Sequence, residues 1–110
     1  MDSILTSIKK LLGIAEDYRH FDADIIMHIN SVFSILTQLD VGPTEGFSID
    51  DEHAKWSDFV SDANKIQLVK SYVYLKVKMM FDPPTVSAVI ESNNNLIKEY
   101  EWRLNVAAES

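Results

Sequence analysis

Val69-Lys70-Ser71-Tyr72-Val73-Tyr74-Leu75-Lys76-Val77-Lys78-Met79-Met80-Phe81 is a nearly continuous apolar run that stops at Asp82-Pro83-Pro84. Thr85 then opens a second pattern that closes on Glu99-Tyr100-Glu101-Trp102-Arg103-Leu104. Proline has no backbone N–H and restricts the residue before it, so Asp82-Pro83-Pro84 ends one helix. The Thr85 hydroxyl is suited to accept an orphan N–H of the next helix and cap it. The two runs therefore predict a helical hairpin with a stiff elbow. The first run is apolar nearly all round, interrupted by Lys70, Lys76 and Lys78, which is the pattern of a helix at the centre of its domain.

Working outward, Asp62 is positioned to cap that central helix, and a brief helical turn before it places Trp56 and Phe59 on one face. Near the N-terminus, Ile4, Leu5, Ile8, Leu11 and Leu12 share one helical face, with Ser3 or Asp2 as cap and Gly13 as the left-handed stop. Residues 14–21 read as a connector carrying Asp17, Tyr18, Arg19 and His20. Asp22 is a good cap for a second long helix, in which Ile25, Ile29, Val32, Leu36 and Leu39 form a stripe widened by Ile26 and Phe33. Gly42-Pro43 is expected to end it. The last helix, from Thr85, shows Val86, Val89, Ile90, Ile97, Tyr100 and Leu104 along one side, with a soft point expected at Asn93-Asn94-Asn95. The fold class is all-α: a small bundle of about four helices, a long 41–53 loop and a C-terminal helical hairpin. Residues 1–110 read as a single domain, near the usual size.

Composition narrows function. There is no cysteine, so neither a disulfide framework nor a thiolate site exists. No apolar stretch approaches the roughly 20 residues that span a bilayer, and Met1-Asp2-Ser3 lacks the basic start of a secretory signal. The formal net charge of -7 argues against a chain that grips phosphate. His20, Asp22, Asp24 and His28 read as a helix start with solvated histidines rather than a metal cluster. Asp50-Asp51-Glu52 lacks the ligand spacing of a calcium loop. No phosphate-binding loop, dinucleotide fingerprint or nucleophile elbow is present, so no catalytic residue, cofactor or metal is assigned and an enzyme is not expected.

The 41–53 loop is long for a compact domain, and such loops are often functional. Phe47 and Ile49 stand out in it as apolar side chains that either tuck under the domain or face a partner. Trp102 lies off the main apolar stripe of its helix, and either packs on a neighbouring element or faces a partner.

In wording and order, the hairpin resembles the head–tail connector, or portal adaptor, proteins of long-tailed bacteriophages and prophages. The carrying residues are Val69 to Val77 leading into Phe81-Asp82-Pro83-Pro84-Thr85, then Ile97-Lys98-Glu99 and Glu101-Trp102-Arg103-Leu104. Phe21 to Ser31, Gly42-Pro43 to Gly46-Phe47, and the later Trp56 and Phe59 add to the likeness, which covers nearly the whole chain. The resemblance implies a non-catalytic virion protein at the head–tail junction, assembled in the host cytoplasm as a ring of about a dozen copies. Such a ring docks on the portal protein, extends the DNA channel without binding DNA specifically, and presents a platform to a stopper or tail protein. Trp102, Leu104 and Val106 are then candidates for the portal contact, and Phe47 and Ile49 for a neighbouring subunit or the downstream partner. Tryptophan is enriched at interface hot spots, which singles out Trp102. A small helical regulator or protein-binding adaptor acting as a dimer is the alternative.

Overall fold

The computed structural model describes residues 3–109, with side chains as far as 106. Its elements are α1 (Ile4–Leu11), α2 (Asp22–Gln38), the single turn α3 (Trp56–Phe59), α4 (Ala63–Phe81) and α5 (Ser87–Glu109). Among the described residues there is no strand, only an isolated bridge between Ser3 and Lys55.

The central place of α4 follows from its composition. Val69, Tyr72, Val73 and Val77 are fully buried, and α4 packs along α2 on one side and α5 on the other, with α1 and α3 beside it. The Phe21 ring meets Phe81 edge-on at 5.3 Å, so the start of α2 lies at the end of α4 and the two run antiparallel. The Tyr72 hydroxyl donates to Glu101 at 2.7 Å, and the Asn93 amide reaches the Met79 sulfur at 3.8 Å, which sets α5 antiparallel to α4 as well. Burial of Tyr72, together with its bond to Glu101, holds its phenol well above the ordinary tyrosine range.

Local chemistry explains most helix ends. Ser3 Oγ accepts from the Thr6 N–H at 3.2 Å, and the Asp62 carboxylate accepts from Asn64 and Lys65. The alternative cap Asp2 lies outside the described residues. After α1, Gly13 is left-handed (φ 82°), and the N–H groups of Gly13 and Ile14 return to the carbonyls of Lys10 and Lys9. That is the paired helix-stop arrangement expected of this glycine.

Four expectations are corrected. Asp22 is the first residue of α2 rather than its cap; no side chain caps this helix, because the Asp22 carboxylate turns to Lys9 and Arg19. The helix ends at Gln38, before Gly42-Pro43: Asp40 takes the left-handed conformation (φ 63°), and the Asp40 and Val41 N–H groups bond to Thr37 and Leu36. Thr85 does not cap α5, which begins at Ser87 with Val86 supplying the first accepted carbonyl, so the elbow runs over residues 82–86. Leu11 is not in the core. The buried face of α1 is Ile4, Leu5, Ile8 and Lys9, and Leu11 remains 47% exposed.

Val86 and Val89 are also exposed, although they continue the apolar side of α5. Asn93 lies beside Met79, two residues from the end of α4, so the first two turns of α5 have little beyond the elbow to pack on. The helix is nonetheless continuous through Asn93-Asn94-Asn95.

Among the described residues, Lys9 is the one charged residue in the core. Its ammonium donates to the carbonyls of Tyr18 (2.8 Å) and Glu16 (3.0 Å) and lies 2.8 Å from Asp22 Oδ1. That oxygen is buried without an aligned hydrogen-bond donor, so the ion pair is its compensation. Asp22 forms no such tie elsewhere on α1, and Lys9 thereby fastens the 14–21 connector and the start of α2 to α1.

Three tests follow from this packing. Lys9→Ala strands a carboxylate and two carbonyls and is expected to cost about 3–5 kcal/mol, read from the urea midpoint. Gly42 has φ 84°, and a Cβ there would land on the Phe59 ring. Gly42→Ala therefore combines backbone strain with overpacking and should cost roughly 2–4 kcal/mol in the same measurement. For Tyr72, the raised folded-state pKa means its contribution is complete below the ordinary tyrosine range and is lost as pH climbs through the raised value. In a spectrophotometric titration, Tyr72 should therefore ionise only above the ordinary tyrosine range, and a Tyr72→Phe variant should lack that late step.

Candidate interaction surfaces

The 41–53 loop is stitched down. Asn30 brackets Ile49, donating from Nδ2 to its carbonyl (3.0 Å) and accepting its N–H at Oδ1 (2.8 Å). Ile49 and Val41 are buried, and the half-buried Phe47 ring meets Phe33 edge-on (5.1 Å) and Phe59 at a tilt (5.2 Å). Both side chains singled out in this loop point under the domain. The Asn30 bracket was not read from the sequence; a lone asparagine amid the apolar stripe of α2 was its only signal.

The end of α5 divides by helix geometry. Ile97 and Leu104 are seven residues apart, fall on one line, and are buried against α4. Trp102 lies about 160° around the helix from Leu104 and Val106 about 160° the other way, so both point away from the core. Trp102 is 68% exposed and Val106 is 42% exposed. Spaced four apart, they lie side by side as an outward apolar ridge. Beside them, Glu99 and Arg103 form an exposed ion pair of 2.7 Å. The five candidate residues thus separate: Trp102 and Val106 on the surface, Leu104 and Ile49 in the core, Phe47 at the core's edge.

A second surface was not visible in the sequence because it joins three distant segments. Leu11 from α1, Tyr74 and Leu75 from α4, and Leu96 and Tyr100 from α5 line a shallow groove of about 430 Å³. Its polar lining is Gln67, Ser71 and Lys70, with no acidic side chain.

The connector carries a third feature. Arg19 grips Glu52 with two parallel hydrogen bonds (3.2 and 3.0 Å) and also reaches Asp22 at 3.4 Å. The bond from Arg19 holds the Glu52 carboxyl below its ordinary range, and the same pairing raises Arg19. His20 packs on Phe21 and His28 faces Phe81, so these imidazoles belong to an aromatic cluster. Among the described residues no group of three or more histidine or acidic side chains is placed to hold a metal. None of the described helices is long and apolar enough to cross a membrane.

The family model described as "Phage connector protein" matches residues 4–110. No curated protein and no solved structure gives a significant match. The match runs from the first residue of α1 through the whole of α5, hairpin and elbow included, and on that extent the chain belongs to the phage connector protein family, whose place in the phage is structural.

Proposed function

We propose that this protein forms a homo-oligomeric ring between the portal and the stopper or tail proteins, extending the DNA channel as the virion head is completed. The observation that carries this reading is the outward ridge of Trp102 and Val106 on a chain of the phage connector family. A large aromatic held outside the core has no folding role to explain it, and tryptophan is a favoured interface anchor. Trp102 and Val106 are therefore assigned to the portal contact. Leu104 supports that contact from beneath by fixing α5 on α4. Phe47 and Ile49 act likewise by holding the loop that faces the neighbouring subunit or the downstream partner.

The channel role draws on charge. At -7 the chain repels a phosphate backbone over a Debye length of about 8 Å at physiological salt, which suits DNA that must pass without sticking. The work is done by surfaces and involves no catalysis.

Trp102→Ala removes an exposed side chain and should leave the thermal midpoint nearly unchanged. Portal docking, measured by co-sedimentation with purified portal rings, should weaken by about tenfold or more, the loss typical of an interface hot spot. Unchanged docking would return Trp102 to the status of a bystander.

A further inference from the structure

We propose that the groove between α1, α4 and α5 receives the connector of a second copy of this chain, with Tyr18 as the inserted side chain. This deepens the ring reading above and rests on it.

Charge separates the two surfaces. The groove has an apolar lining, one lysine and no acid, in a chain that carries 17 acidic and 10 basic residues. Lys70 makes no ion pair or side-chain hydrogen bond among the described residues. The connector has the opposite character. Tyr18 stands 50% exposed, preceded by Glu16 and Asp17, two exposed carboxylates that form no ion pair. The connector's one cation, Arg19, is taken up chiefly by Glu52 with a lesser pull from Glu16, so one aromatic ring beside two exposed carboxylates complements an apolar groove beside one unpaired ammonium.

The connector is also held rigid. Its carbonyls at Glu16 and Tyr18 are fixed by buried Lys9, Arg19 is clamped to Glu52, and the Tyr18 ring rests edge-on against Phe21 at 5.8 Å. Tyr18 is therefore presented with little conformational freedom left to lose on binding. A buried cation whose partners all lie in the connector or at the first residue of α2 is well explained by the need to present that corner.

A subunit does not fill its own groove. Lys9, which holds the connector, and Leu11, which rims the groove, are two residues apart and so about 200° apart around α1. Connector and groove lie on opposite flanks of that helix. Contact between copies is then head-to-tail, the kind that propagates and closes as a ring when the rotation permits.

The test exploits the absence of cysteine. Asp17→Cys and Gln67→Cys variants, each separately and mixed, are incubated under mild oxidation, free and with portal rings. The expected result is a disulfide-linked pair in the mixture and none in either variant alone. In parallel, Tyr18→Ala and Lys70→Glu should weaken self-association by about tenfold or more in sedimentation velocity. Their circular dichroism melts should match the parent, and adding Asp17→Lys to Lys70→Glu should recover association. Rings that form equally well with Tyr18→Ala, or a mixture that does not cross-link, would overturn this contact and leave the ring reading standing. A parent protein that self-associates neither free nor on portal would overturn both.

Discussion

The burial of α4 on several sides at once constrains the rest of this fold. A helix that is apolar nearly all round is stable in water only when neighbours cover it, and each large side chain so covered contributes roughly 1.5–3 kcal/mol. Here α2 and α5 supply most of that cover. The Asp82-Pro83-Pro84 elbow brings α5 back along α4 within a few residues, and the Tyr72–Glu101 bond fixes its register. α2 is brought to its side of α4 less directly, by the connector that Lys9 fastens and by the Phe21–Phe81 contact. One covering helix is thus positioned by covalent stiffness and the other by a buried charge.

That difference explains what could be read in advance. The helices, Ser3, Gly13 and Asp62 were legible because their signals are local: period, cap and stop depend on neighbours within four residues. The end of α2 was misplaced because Asp40, not a glycine, adopts the left-handed conformation, an uncommon though tolerated use of aspartate. Leu11 was misassigned because a lysine one turn beyond Leu5 was not expected to be buried. Lys9 enters the core only because two carbonyls and Asp22, all seven or more residues away, come together around it. The 82–86 elbow was legible as a break but not in length, since Thr85 makes a plausible cap that the chain does not use.

The surfaces divide in the same way. Trp102 was separable from its helix's apolar line by spacing alone. Leu104, on its helix's apolar line yet also a portal-contact candidate, and Ile49, open between loop packing and a partner, both lie inside, held by the seven-residue step from Ile97 and by the Asn30 bracket. The groove could not be read at all, because Leu11, Tyr74 and Leu96 meet only after three helices have packed. For a protein whose family role is structural, the informative residues are therefore the apolar ones left outside the core rather than any polar constellation.

The two tryptophans occupy contrasting places. Trp56 is sealed in the core, with its indole N–H donating to Ser7 at 2.9 Å, whereas Trp102 stands in solvent on the far side of α5. The chain thus carries two intrinsic fluorophores with separate duties. A soluble quencher reaches one and not the other, so quenchable emission reports what covers α5, while the shielded emission reports whether the domain is folded. Assembly and unfolding become optically distinguishable in the unlabelled protein.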